Sequence, residues 1–226
     1  MNFKRNCFKK RIPYTGPRIV MKVKVANKET MPTLNITPSK IRYEKISPEY
    51  YIKTIEFETL TMDDAVTVSF KNSPAVEIDL HQMKLTDLDF TYAINMTHLG
   101  FHDVDTSMVT TLRQKFSYCN SLEYIDLSML DFSSVNLCTM AFMGCKKLLE
   151  ANLGGTNLTA VTNISFMFRD CVLLNKLNLS GMDTANVTTS SGMFQACENL
   201  LEQNVTLDGC TDTTKELIYN EVALAL

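Results

Sequence analysis

The stretch SFMFRDCVLLNKLNLSGMDTANVT, residues 165–188, decides the fold, because its pattern recurs along the chain with a period of 26 residues. One cysteine marks the phase of each copy, and the four are Cys119, Cys145, Cys171 and Cys197. A phenylalanine stands three residues before each cysteine and a leucine three residues after it. A period of this length is typical of proteins in which stacked copies bury a core that no single copy buries alone.

Each copy continues into a short alternation of apolar and polar residues, such as LEYIDL at 122–127. This alternation predicts a strand whose leucines point inward, and copies lying side by side predict a parallel sheet. An Asp or Asn opens each copy, where its short side chain suits a turn; these residues are Asp105, Asp131, Asn157 and Asp183. The Phe-x-x-Cys spacing places both side chains on one face of a short helical turn that returns the chain.

The flanking segments predict further elements. Alternating patterns indicate half-buried strands at 19–25, 52–60 and 65–70, and VEIDL at 76–80 suggests one more strand. The run Thr213, Thr214, Lys215 and Glu216 is a capping-box pattern, which predicts a C-terminal helix.

We therefore predict an α/β repeat protein, namely a leucine-rich right-handed solenoid with a parallel β-sheet, a β-rich N-terminal module and a C-terminal capping helix. The predicted domains are a basic N-terminal arm at 1–18, the β-rich module at 19–74, the 26-residue repeats at 75–210 and the capping helix at 211–226.

Three segments carry a family resemblance: MAFMGCKKLLEANL at 140–153, SFMFRDCVLLNKLNLSGMDTANVT at 165–188 and GMFQACENLLEQNV at 192–205. They resemble the 26-residue bacterial surface-protein repeat of the BspA-like leucine-rich repeat family, over roughly residues 79–208. The resemblance implies a non-enzymatic adhesion or protein-binding scaffold on a bacterial or protist surface. The repeats are also similar to those of some bacteriophage-encoded proteins.

The N-terminal residues depart from the surface-protein pattern. No stretch approaches 18 apolar residues, and the charged segment at 1–20 has no apolar core behind it, so we expect neither a transmembrane segment nor a signal peptide. Synthesis in the cytoplasm or a place in a virion is therefore expected over classical secretion. Surface display is the alternative that the resemblance implies.

Charge is unevenly distributed along the chain. Its 226 residues are 45% hydrophobic and 21% charged, as in an ordinary globular protein. Residues 1–28 hold nine Lys and Arg and no acid, so a net charge of −3 leaves −12 on the rest. Such an arm suits docking on an acidic assembly partner, nucleic acid or an anionic surface, and a solvated tail is the alternative. The predicted docking residues are Lys4, Arg5, Lys9, Lys10, Arg11 and Arg18.

The outward strand positions form the candidate binding face. These positions are His98, Tyr124, Asp126, Glu150, Asn152, Lys176, Asn178, Glu202 and Asn204. We predict a recognition or attachment protein that presents this face to a protein or glycan surface, whereas its acidic character would repel nucleic-acid phosphates. The alternative is a structural component of a virion or other large assembly, docked by the basic arm. A merely solvated face is also compatible with this pattern.

Catalytic and metal chemistry find little support in the sequence. The repeated cysteines and Cys138 occupy core positions and are expected to be buried, reduced thiols, which leaves Cys7 and Cys210 as candidate exposed thiols. His98 and His102 lie near Asp103 and Asp105, a set that suits a metal, but we prefer a capped turn. We therefore predict no enzyme, no catalytic residue, no metal and no cofactor.

Overall fold

The computed structural model describes residues 19–26, 31–35, 37–38, 40–57 and 64–225. The first part of the described chain consists of strands: β1 (Ile19–Val25), β2 (Thr33–Leu34), β3 (Lys40–Lys45), β4 (Tyr51–Phe57), β5 (Ala65–Ser69), β6 (Glu77–His81), β7 (Lys84–Asp89) and β8 (His98–His102). The second part contains four shorter strands, β9 (Tyr124–Asp126), β10 (Glu150–Asn152), β11 (Lys176–Asn178) and β12 (Val205–Thr206), followed by the helix α1 (Asp212–Ala223).

The strands form three sheets. A five-stranded sheet has the order β3-β4-β1-β6-β8, and all its pairs are antiparallel except the parallel pair β6 and β8. A three-stranded sheet, β2-β5-β7, also mixes antiparallel and parallel pairs. The third sheet, β12-β11-β10-β9, is parallel throughout.

The 26-residue period sets the register of the parallel sheet. Glu150 pairs with Tyr124 on one side and with Lys176 on the other. A second line of parallel bridges joins the same copies through Thr111, Leu137, Asn163 and Thr189. Each repeat therefore hydrogen-bonds its neighbour on two sides of a common core.

Phenylalanine rings and thiols fill that core. Successive rings stack with centroids 5.0–5.8 Å apart, in the order Phe70, Phe90, Phe116, Phe142, Phe168 and Phe194. The thiols of Cys119, Cys145, Cys171 and Cys197 donate to the carbonyl of the phenylalanine in the preceding copy at 3.0–3.1 Å. The repeated cysteines therefore act as small core residues with a satisfied donor.

The predicted α/β class, a leucine-rich right-handed solenoid, is wrong. The described residues form three sheets, two of them mixed, and their single α-helix follows the repeats instead of lying within them. The returning segments are tight turns because each contains two residues with positive φ, such as Gln114 and Tyr118 or Met140 and Gly144. A left-handed residue cannot continue a right-handed helix, so the predicted helical turn at Phe-x-x-Cys does not form.

Two smaller predictions also need correction. Cys210 is buried, with 8% of its surface exposed, and its thiol donates to the carbonyl of Leu179, so it is not an exposed thiol. The N-cap of helix α1 is Thr211, two residues before Thr213 of the predicted capping box, because the Thr211 hydroxyl accepts the backbone N–H of Thr214. Cys138, predicted to lie in the core, is fully buried.

Some sequence predictions concern segments outside this description. The docking residues Lys4, Arg5, Lys9, Lys10, Arg11 and Arg18, together with Cys7, lie outside the described residues. No helix within the described ranges combines the length and the apolar character that crossing a membrane requires.

Candidate functional site

Two rows of side chains stand on the face of the four-stranded parallel sheet. The middle residues of its first three strands, Ile125, Ala151 and Leu177, point inward and are buried. The residues on either side of them point outward because side chains alternate along a strand. The outer row consists of Tyr124, Glu150 and Lys176, and the amide ladder consists of Asp126, Asn152 and Asn178.

The amide ladder is joined from strand to strand by side-chain hydrogen bonds. Asn178 Nδ2 donates to Asn152 Oδ1 at 2.8 Å, and Asn152 Nδ2 donates to Asp126 Oδ1 at 3.1 Å. The Oδ1 atoms of all three ladder residues also accept backbone N–H groups, namely those of Ser128, Gly154 and Ser180. These bonds close the turns that follow the strands. The ladder thus ties neighbouring repeats and their turns together, and its polar atoms are engaged within the protein.

The outer row carries an aromatic, an acidic and a basic side chain on neighbouring strands. Tyr124 Oη donates to Asp126 Oδ2 at 3.1 Å, and Lys176 Nζ donates to Glu150 Oε2 at 3.0 Å. The Lys176 and Glu150 side chains are 37% and 38% exposed. An exposed ion pair of this kind contributes little stability, so its surface remains available to a partner at low energetic cost.

The predicted fifth strand of the face is out of register. Leu177 pairs with Val205 and Asn178 with Thr206, an offset of 28 residues instead of 26. Placing Glu202 and Asn204 on the strand is therefore wrong, since Glu202–Asn204 form a short 3-10 turn before it. Thr206 continues the sheet instead. The alternation of Val205 and Leu207, which matches Leu177 and Leu179, is the sequence signal for this shift.

His98 belongs to a different sheet from the other face residues. Its strand β8 pairs in parallel with β6, with Glu77 opposite His98, Asp79 opposite Gly100 and His81 opposite His102. The period of the repeats does not continue here, because this offset is 21 residues. His98 therefore belongs to a different hydrogen-bonded sheet from the outer row, although its strand β8 contacts β9.

The pairing of β6 with β8 assembles an acid with several imidazoles. We call Asp79, His81 and His102 the Asp79 cluster, whose potential ligand atoms lie within 4.8 Å of one another. Asp79 is buried, and its Oδ1 lies 3.2 Å from His102 Nε2 and 3.7 Å from His98 Nε2. The rings of His81 and His102 stack with centroids 4.5 Å apart.

Protonation in the Asp79 cluster follows from burial and pairing. Burial favours a raised pKa of Asp79, but the hydrogen bond with His102 and the nearby His98 ring outweigh it and lower this pKa to about 2. Burial lowers the pKa of His81 to about 4, and the nearby His102 acts in the same direction. At neutral pH the cluster therefore offers a carboxylate and a neutral imidazole.

The metal set considered from the sequence is not the one that the fold assembles. Asp105 Oδ1 instead accepts the backbone N–H and hydroxyl of Ser107, so it closes a turn, as we preferred from the sequence. Asp79 and His81 take the place of Asp103 and Asp105 beside His102. A weak signal was present, because the alternations D-x-H at 79–81 and H-x-G-x-H at 98–102 suit one face of two paired strands.

Comparison with known proteins matches part of the chain to a protein family. Residues 81–208 match the family described as "Mycoplasma protein of unknown function, DUF285". No curated protein and no solved structure matches the chain.

Proposed function

We propose that the chain is a recognition or attachment protein. The chain belongs to the DUF285 family, because the matched segment covers more than half of its 226 residues. Its binding surface is the outer row, Tyr124, Glu150 and Lys176, on the four-stranded parallel sheet. The resemblance of the repeats to the BspA-like leucine-rich repeat family supports the same role.

The observation that carries this proposal is the amide ladder beside the outer row. Hydrogen bonds of 2.8 and 3.1 Å hold its three side chains across successive strands. The outer row is therefore presented at the fixed spacing of a sheet, about 4.8 Å per strand. A surface that is already ordered loses little conformational entropy when a partner binds.

The chemistry of the outer row indicates the partner class. Tyr124 supplies an aromatic side chain with a hydroxyl, while Glu150 and Lys176 supply one charge of each sign. Aromatic residues that carry a polar group are enriched where proteins bind other proteins. Mixed charge without a basic patch suits a protein or glycan surface and disfavours nucleic-acid phosphates.

The experiment compares ligand binding by matched variants of the full chain. Labelled protein is applied to a glycan array and to a panel of purified cell-surface proteins. Each ligand found is then titrated with the double variant Tyr124→Ala/Lys176→Glu and with Arg113→Glu. Arg113 is exposed on a returning segment outside the sheet, so it controls for the change of charge.

We expect the double variant to weaken binding by at least about tenfold, which is the loss of about 1.4 kcal/mol that one good interface contact supplies. The Arg113→Glu variant should bind like the parent chain. A ligand that binds both variants equally well would show that recognition does not use the outer row.

We also propose an alternative, in which the protein is a structural component of a virion or other large assembly. The separation of charge along the chain supports this alternative. Nine basic residues and no acid occur in 1–28, whereas the rest of the chain has a net charge of −12. A chain lacking residues 1–18 should then fail to enter the complex that the full chain forms, as measured by native mass spectrometry. If both forms enter the complex, docking through the arm is excluded.

A further inference from the structure

We propose that Asp79, His81 and His102 bind a divalent transition-metal ion, with Zn²⁺ as the ion of first choice. This site is separate from the outer row, and the inference does not depend on the proposed function. The sequence alone led us to predict no metal, because the three residues come together only through the pairing of β6 with β8.

The donor set has the composition that such ions select. Two imidazole nitrogens and one carboxylate oxygen suit Zn²⁺ and related ions, which bind them at about 2.0–2.2 Å. Ligand atoms around a tetrahedral ion are then about 3.3 Å apart. The three potential ligand atoms already lie within 4.8 Å of one another. Rotation of the side chains would bring them to the separation that a bound ion requires.

The backbone beside the carboxylate is shaped to leave room for it. Gly100 lies opposite Asp79 in the parallel pair of strands. A Cβ atom at this position would overlap Asp79 Oδ1 and lie 3.2 Å from His102 Nε2. The absence of a side chain at Gly100 therefore allows the buried carboxylate to face the His102 ring.

One nitrogen in the cluster lacks a partner in the described part of the chain. His81 Nε2 is buried and makes no hydrogen bond to any described residue. Buried polar atoms are normally paired, and a bound ion is one of the recognised explanations for an exception. A metal ion between His81, His102 and Asp79 would use this nitrogen.

The surroundings limit the affinity and leave part of the coordination sphere open. Lys22 lies opposite Asp79 across the pair of β1 with β6, and its positive charge opposes cation binding. Lys24 is paired with Glu77 at the edge of the same face. The His102 side chain is 46% exposed, so an ion held by three protein ligands would keep at least one position for water.

The test is a calorimetric titration of chelator-treated full-length protein with Zn²⁺ alone. A Cys7→Ser background removes the one thiol outside the described residues, because cysteine thiolates are themselves strong zinc ligands. The ligand variants are Asp79→Asn, His81→Gln and His102→Gln. The matched controls are Asp103→Asn, an exposed carboxylate beside His102, and His98→Gln.

We expect one ion per chain and a loss of affinity of at least about tenfold in each ligand variant, in line with the loss seen when even outer-shell partners of a metal are changed. Asp103→Asn should bind like the parent, and His98→Gln should lose less than His81→Gln. The assignment is overturned if the parent chain takes up no Zn²⁺, if the ligand variants bind it unchanged, or if His98→Gln removes binding while His81→Gln does not.

A second measurement keeps the test decisive if a variant fails to fold. Histidine ring resonances of the folded parent protein are followed by NMR while Zn²⁺ is added. Shifts of the His81 and His102 rings are expected. Zn²⁺-induced shifts confined to other groups would contradict the site.

Discussion

Replacing Asn152 by alanine removes the central member of the amide ladder. Asn152 is only 6% exposed, and its side-chain amide takes part in three hydrogen bonds. Nδ2 donates to Asp126 at 3.1 Å, and Oδ1 accepts from Asn178 at 2.8 Å and from the Gly154 N–H at 3.2 Å. At about 0.5–1.5 kcal/mol net for each of the three bonds, the free energy of unfolding should fall by about 1.5–4.5 kcal/mol.

Two further variants separate the ladder from general effects of substitution. The Asn136 side chain is exposed, so Asn136→Ala should change the free energy of unfolding by less than about 0.5 kcal/mol. Asn152→Asp keeps an acceptor for Asn178 but places a second carboxylate beside Asp126. Because like charges repel, this variant should be destabilised at pH 7 and should recover relative to the parent below about pH 4, where carboxylates become protonated.

The assay is urea denaturation of each variant, followed by far-ultraviolet circular dichroism at pH 7 and pH 3.5. The free energy of unfolding is obtained by linear extrapolation to zero urea. If Asn152→Ala and Asn136→Ala differ by less than about 0.5 kcal/mol at pH 7, the ladder does not stabilise the sheet, and the argument for a preordered face fails.

Other predictions concern the core, strand β8 and the turn that Asp105 closes. Phe142→Ala should lower the free energy of unfolding by about 3–5 kcal/mol in urea titrations, and by more than Phe194→Ala, because Phe142 stacks on rings at 5.0 and 5.1 Å whereas Phe194 has one described ring neighbour at 5.8 Å. Gly100→Ala should cost about 1–3 kcal/mol in the same assay, since its Cβ would displace the Asp79 carboxylate. Hydrogen bonds from Ser107 lower the pKa of Asp105, so the Asp105→Asn variant should be less stable than the parent at pH 7. In urea titrations at lower pH, the difference in the free energy of unfolding should shrink and disappear as the pH falls below about 4.

The core of the repeats was predictable because it recurs in phase. The phenylalanine, cysteine and leucine columns each keep one position in the period, and Phe142, Cys145 and Leu148 are all fully buried. A residue type that returns at one position of a stacked repeat occupies the same environment in each copy. Periodicity therefore identified inward-facing residues without any knowledge of the chain path between them.

The chain path itself was not predictable from local propensity. Three residues that start the turns, Gln114, Met140 and Phe166, have φ values of 56–61°, although none is glycine. Each donates its backbone N–H to a carbonyl of the following copy at 3.0–3.2 Å. Contacts between copies thus stabilise a conformation that single-residue preferences disfavour, which is why a helical turn was predicted there.

The Asp79 cluster was missed for a different reason. His102 was found because it lies in a short sequence stretch with other polar residues, but Asp79 and His81 lie more than twenty residues away. They meet His102 through strand pairing with an offset of 21 residues, which the period of 26 does not predict.

The buried thiol column gives this protein a set of natural reporters of local unfolding. Cys119, Cys145, Cys171 and Cys197 are each fully buried and occupy the same position in consecutive repeats. A thiol reagent reaches such a group only when its surroundings open, so labelling rates followed by mass spectrometry would measure the opening of each repeat separately. Equal rates would show that the repeats open as one cooperative unit, whereas a gradient along the column would show from which end the chain begins to unfold.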